Sequence, residues 1–236
     1  MRKILYLVMG CLAFAACSKK TKTGNLQISG EIDGLKQGTL YIKTVKDSML
    51  VVLDSTVLKG TSAYQMHLNI TEPQVVYLTL DRGTSLSEDN AILFFAEPGK
   101  MKVNSSLAHF FADAKVEGAV NQKLYEKYLA TKKNLTNKQN DLLKEQILAD
   151  KNGQKIKADS LAKQINRYQT RIYLNAVNFA VKNKDKAVAP YLALTEVAPM
   201  SSKYLDTIHN SLSPEIRKSL YGKILSEYVN SVKKPQ

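Results

Sequence analysis

The 236-residue chain carries 34 Lys and Arg against 21 Asp and Glu, a formal charge of +13, and its 44% hydrophobic content is enough for a substantial core. Its two cysteines, Cys11 and Cys17, both fall at the very start, which excludes a disulfide framework, a Cys-X-X-Cys redox pair and a zinc–thiolate centre from the remainder. A basic balance suits nucleic acid, anionic lipid or acidic glycan, but basic strands interleaved with aromatics are missing, and the export signal described next removes nucleic acid as a partner.

Arg2 and Lys3 form a short basic start, followed by the uncharged, mostly apolar run Ile4 to Ala16. That order describes a secretory signal, and the run is shorter than the roughly 20 residues a spanning helix needs. Phe14-Ala15-Ala16-Cys17 resembles a lipobox, in which cleavage leaves a cysteine as the acylated N-terminus; Phe14 stands where leucine is commoner. Cleavage before Cys11 would leave too short an apolar run, and the alternative is that Cys17 is an incidental thiol beside a generic cleavage site. Residues 1–16 are therefore expected to be a signal peptide, Cys17 the lipidated residue, and 17–24 a polar, basic tether with nothing to bury. The absence of an acidic residue just after Cys17 favours the outer membrane, with the body facing the periplasm.

Residues 25–118 follow a period near two. Leu26, Ile28 and Ile32 precede a turn at Asp33-Gly34; Thr39 to Ile42 and Leu50 to Leu58 follow, the latter ending at Lys59-Gly60. Tyr64, Met66, Leu68 and Ile70 alternate cleanly until Glu72-Pro73, Val75 to Leu80 ends at Asp81-Arg82-Gly83, and Glu97-Pro98-Gly99-Lys100 separates Ile92–Phe95 from Met101–Val103. Short strands at this spacing predict an antiparallel β-sandwich or barrel-like module.

Residues 119–236 change to helical spacing, so the fold class is α+β, a β-rich domain followed by a helical one. Val120, Leu124, Tyr128, Leu135, Leu142, Leu143 and Ile147 begin a long stripe, and Asn152-Gly153 interrupts it. Leu161, Ile165, Tyr168, Ile172, Ala176 and Phe179 continue in steps of three or four. The apolar repeat from Lys132 to Lys163 is too sparse for a coiled coil and reads as a helical hairpin. A short helix is expected at Tyr191–Val197, another capped by Ser201, and a last one started by Ser213-Pro214-Glu215 with Ile216, Leu220, Ile224 and Tyr228 as its buried face.

Chemistry is sparse. His67, His109 and His209 have no second ligand at metal-binding spacing, and no serine sits in a nucleophile motif. Asp54, Asp81, Asp113 and Glu117 offer acid/base pairs only in principle; Asp54 and Asp81 flank turns, where aspartate serves the local backbone. Gly83 and Gly99 are isolated turn glycines. Eight tyrosines, Tyr125, Tyr128, Tyr168, Tyr173, Tyr191, Tyr204, Tyr221 and Tyr228, lie in the helical half at spacings that favour core packing over a binding groove. No catalytic residue, metal or cofactor is expected.

Gly30-Glu31-Ile32-Asp33-Gly34-Leu35, Gly38-Thr39-Leu40-Tyr41-Ile42, Leu53-Asp54-Ser55-Thr56-Val57, Phe94-Phe95-Ala96-Glu97-Pro98-Gly99 and Val116-Glu117-Gly118-Ala119-Val120-Asn121 together carry a resemblance. They resemble an uncharacterised N-terminal domain of envelope lipoproteins that precedes thioredoxin-like modules of the TlpA/ResA thiol–disulfide oxidoreductase type. The segment Lys218-Ser219-Leu220-Tyr221-Gly222 is similar to the stretch before that module. The chain stops where the module would begin and lacks its Cys-X-X-Cys pair, so redox activity does not carry over. The resulting expectation is a lipid-anchored binding or scaffolding protein without catalysis of its own, its partners the membrane and a periplasmic protein or cell-wall component. The alternative is an accessory subunit of a separate thioredoxin-like enzyme.

Overall fold

The computed structural model describes residues 24–81 and 91–233. The expected signal peptide, Cys17 and the tether as far as Thr23 lie outside the described residues, as does the expected turn at Arg82-Gly83. The fold is α+β, with the strands first and the helices after them.

The strands are β1 (Leu26–Asp33), β2 (Gln37–Lys46), β3 (Met49–Lys59), β4 (Ala63–Leu68), β5 (Gln74–Asp81), β6 (Ala91–Ala96), β7 (Gly99–Ser106) and β8 (Lys115–Glu117). They form two four-stranded sheets, β4-β1-β7-β8 and β3-β2-β5-β6. Alternation drives the packing: Leu26 and Ile28 from the first sheet face Leu40, Ile42, Leu78 and Phe94 from the second, all fully buried in one core. Burying side chains of this size stabilises by about 1.5–3 kcal/mol each. In β6 the alternate residues Leu93 and Phe95 point the other way, into a second core shared with the helices. Burial on both faces is why Ile92-Leu93-Phe94-Phe95 is apolar throughout.

One pairing departs from a purely antiparallel sandwich. β1 and β7 run parallel, with Leu26 opposite Gly99 and Ile32 opposite Ser105. Parallel neighbours need a long crossover, and here the crossover runs through all four strands of the second sheet and through β4 of the first. Gly30 permits the close approach, since a Cβ there would lie 1.8 Å from the Val103 carbonyl oxygen. The same gap lets Tyr64, opposite Gly30 on β4, reach over β1 and donate to the Val103 carbonyl at 2.7 Å. Burial holds that phenol far above its ordinary pKa, so it remains a donor.

The β2–β3 hairpin turns at Asp47-Ser48, both with positive φ (49° and 66°), between the paired residues Lys46 and Met49. That is the geometry of a two-residue type I′ turn. A register shift at Ile42/Lys43 places one extra residue, Leu53, on β3. Beyond this bulge the ribbon loses its cover: Val45, Met49, Leu50, Val51, Val52 and Leu53 are all exposed. Asp54, just past the bulge, accepts from the N–H of His67, whose ladder partner is Gln27, so the ribbon tip lies at the Asn25 end of the sandwich.

Helices α1 (Val120–Lys151) and α2 (Lys155–Lys182) form an antiparallel pair joined through Gly153 at φ +70°. Only their base enters the second core, through Tyr128, Ala176, Val177 and Ala180. The distal end has its own small cluster, Ala149, Ala158 and Leu161 with Leu142. α3 (Val188–Leu192) runs into a π-helical segment, Ala193–Val197, then come a 3-10 turn (Ser202–Tyr204), α4 (Leu205–Ser211), α5 (Pro214–Arg217) and α6 (Leu220–Lys233). Ser201 and Ser213 cap as their sequence positions imply, accepting from Lys203 N–H and Ile216 N–H. The expected buried face of the last helix is corrected: Leu220, Ile224 and Tyr228 are exposed, whereas Leu225 and Val229 are buried. The helix breaks at Lys218-Ser219 and restarts, which rotates the phase of everything after it. The stripe of α1 is corrected likewise, with Val120, Leu143 and Ile147 exposed.

Candidate functional site

The polar groups that sequence reading singled out do not converge. His67 stands between buried Met66 and Leu68, its Nε2 2.8 Å from Gln65 Nε2, while its N–H donates to Asp54 Oδ2 at 3.4 Å. His109 lies on the surface 3.6 Å from Asp113, whose carboxylate accepts from the Ser106 hydroxyl. His209 pairs with Ser226 at 2.9 Å on α4 and α6. Asp81 ends β5, and Glu117 pairs with Lys102 in the β7–β8 ladder. Among the described residues, no three His, Cys, Asp or Glu side chains are grouped to hold a metal ion. Among the same residues, no helix is long and apolar enough to cross a membrane.

What does converge is the junction between the second sheet and the helices. Glu97, just past β6, accepts from the first two N–H groups of α1, those of Val120 and Asn121, and from the Asn121 amide at 2.8 Å. A carboxylate there satisfies orphan donors and meets the positive end of the helix dipole. Asn121 is buried and passes the connection on, its Oδ1 accepting from Val188 N–H of α3 at 2.9 Å. Gln122, also buried, accepts from Phe95 N–H at 2.9 Å and donates to Glu126 at 2.8 Å. Glu72 accepts from Leu220 N–H at the start of α6 at 2.7 Å. Gly118 has φ +104° and no room for a side chain, because a Cβ would meet the Lys100 carbonyl oxygen at 2.3 Å.

Above these polar ties sits an aromatic cluster. Phe95 meets Tyr125, Tyr191 and Tyr221 edge-on at 5.7, 5.1 and 6.3 Å, and Tyr191 meets Tyr125 and Tyr221 at 5.8 and 5.2 Å. Such edge contacts contribute about 0.5–1.5 kcal/mol each beyond their burial. The Tyr221 hydroxyl accepts from Val75 N–H at 2.7 Å. Burial pushes the Tyr221 phenol up to about 12 and raises Tyr125 and Tyr191 as well. Desolvation, with Glu196 nearby, does the same to fully buried Tyr128. Glu196, on the π-helical segment, takes both hydrogen bonds of Lys132, at 2.9 and 2.7 Å. These phenols stay protonated at neutral pH, so they serve as packing surfaces and hydrogen-bond partners and not as bases. The other tyrosines are dispersed: Tyr173 packs on Tyr204 and donates to the Ser201 carbonyl, Tyr168 stacks with Arg171, and Tyr228 is exposed.

Sequence reading missed Asn121 and Gln122. The available signal was a pair of amides at the first turn of a helix, three residues after a turn glycine and 24 residues beyond the glutamate of Glu97-Pro98-Gly99.

Residues 26–125 match the model of a family described as a domain of unknown function (DUF4369). The match takes in both Glu97 and Asn121, so it spans the sandwich and the hinge into α1. No curated protein and no solved structure matches the chain.

Proposed function

We propose that the protein is a lipid-anchored scaffold of the cell envelope, held through Cys17 at the outer membrane, that positions a periplasmic protein or cell-wall component without catalysis of its own. The observation that carries this reading is the welded junction. A shared core, buried polar ties through Asn121 and Gln122 and half-buried ones through Glu97 and Tyr221 join sandwich and helix base as one body. That body holds out two elements, the α1–α2 arm and the β2–β3 ribbon. The dispersed histidines and protonated tyrosines support presentation over chemistry. Asn25, tied to Ile70 by two hydrogen bonds of 2.6 and 2.9 Å, fixes the point from which the tether leaves.

The test is to express the full precursor beside Cys17→Ala, label with a palmitate analogue and fractionate the envelope. Label in the outer-membrane fraction that disappears with Cys17→Ala is the expected result. An unlabelled protein in the soluble periplasm sinks the anchor.

A second reading draws on the family match over residues 26–125 together with the resemblance of that stretch to domains preceding thioredoxin-like modules. In it the protein presents a separate thiol–disulfide enzyme. Crosslinking in the envelope that recovers no such enzyme rules this reading out.

A further inference from the structure

The exposed ribbon carries an inference that goes beyond scaffolding. Among the described residues β3 is an edge strand whose only ladder is with β2, and its hydrogen bond to β4, from the His67 N–H to the Asp54 carboxylate, lies beyond the bulge. Its residues Met49 to Leu53 are exposed on both faces, with no charge and no proline among them. Unpaired edges of this kind are normally blunted by charge, proline or cover. A lipid surface does not complete this one, because it offers no partners for backbone N–H and C=O groups and the tip carries Asp47. A strand does.

The ladder sets which strand. Lys46 and Met49 close the turn as the bonded pair, and pairs alternate from there. Leu50 and Val52 therefore turn their backbone groups to the open edge. An antiparallel copy of the same strand centred on Val51 places Leu50 opposite Val52 of the second copy, and Val52 opposite its Leu50. Both pairs are then of the bonded kind, closing four hydrogen bonds about a two-fold axis. Met49 meets Leu53, so apolar side chains match along the whole block, and the block ends before Asp54, whose carboxylate accepts from the His67 N–H of its own chain. The bulge at Leu53 bends the strand away and keeps the pairing short.

We propose that β3 is a self-pairing edge, and that two copies of this chain join there into one eight-stranded sheet centred on Val51. Pairing from Met49 to Leu53 runs only about 17 Å, and stable interfaces bury about 800 Å² per partner, so the dimer is a reversible one. It forms where copies are concentrated at the same height above one surface; that concentration step rests on the anchored reading, whereas the register does not.

The experiment uses the full chain in the envelope carrying Val51→Cys, with a mild copper–phenanthroline oxidant. Opposed Val51 positions form a non-bonded pair with Cα atoms about 4.5 Å apart, inside disulfide range. Val51→Cys is expected to give a covalent dimer at least about tenfold above wild type and above the exposed control Val57→Cys. Adding Leu50→Lys should abolish it. Equal crosslinking at position 57, crosslinks to other proteins in place of itself, or monomer throughout would overturn the proposal. Palmitate label is read on the same bands. A labelled monomer defeats the pairing alone, and an unlabelled dimer defeats the anchor alone.

Discussion

The N–H of Val75 donates to the hydroxyl of Tyr221 at 2.7 Å, joining residues 146 apart in the chain. The β2–β5 ladder ends two residues away along β5, at Lys43 and Tyr77. Where β2 peels away, the Val75 carbonyl is taken by the Thr44 hydroxyl at 3.2 Å and its N–H by Tyr221. Two side chains thus replace the missing strand, and one of them pins α6 to the sheet.

Tyr221→Phe keeps the ring in the cluster and removes the acceptor. Leaving a buried N–H unpaired costs about 1–3 kcal/mol. The expected result is a lower urea midpoint with unchanged slope, read by circular dichroism.

The buried phenols fix the behaviour in alkali. Tyr221 ionises near 10 in the unfolded chain and near 12 in the fold, and Tyr64, Tyr125, Tyr128 and Tyr191 are raised in the same direction. A raised folded pKa gives stability that is fully present below the unfolded value and is lost as pH rises toward the folded one. Unfolding should therefore begin above pH 10, with phenolate absorbance and loss of ellipticity rising together. Phenolate absorbance that completes at pH 10 with ellipticity intact would contradict the burial of these rings.

Asn121 and Glu97 should couple. Asn121→Ala strands the Val188 N–H and is expected to cost about 1–3 kcal/mol. Glu97→Gln keeps an acceptor at the start of α1 and loses the charge–dipole gain, about 0.3–1 kcal/mol. A double-mutant cycle by urea unfolding should show the two falling short of additive by about 0.5 kcal/mol or more.

Two glycines separate room from conformation. Gly60 has φ +79° and open space around its missing Cβ, and Gly30 has ordinary φ but the Val103 oxygen in the way. Gly60→Ala should cost about 1 kcal/mol. Gly30→Ala must push β1 from β7 and displace Tyr64 from Val103, so its thermal midpoint should fall several times further. Equal losses would mean that β1 and β7 are not held this close.

In the turn at Ser48 (φ 66°), glycine relieves a left-handed conformation that costs an L-residue roughly 1–2 kcal/mol. Ser48→Gly should raise the urea midpoint, offset in part by the added chain entropy.

The strand series was legible because β1, β2, β4, β5 and β7 each set buried residues in alternation with outward ones, and Ile92 to Phe95 signals a strand buried on both faces. The parallel β1–β7 pair was not, since a pattern of period two is the same for either direction of neighbour. Exposure of Leu50 to Leu53 was equally hidden, because an apolar run states what a strand would bury and not whether anything covers it. The phase of α6 was lost at a single break near Ser219. The candidate junction was visible only as turn-and-helix motifs around Glu97 and Gly118; that the two meet through Asn121 is a fact of tertiary structure.

The arm has a mechanical side. At 1.5 Å per residue, the 32 residues of α1 make a rod about 48 Å long, gripped near Tyr128 and free past Leu142. A tilt of about 5° at the grip, over the roughly 37 Å from Tyr128 to the Gly153 end, carries that end sideways by about 3 Å. Any shift in the packing around Phe95 and Tyr191 would thereby be several times larger at the tip than at the base, by the lever length alone.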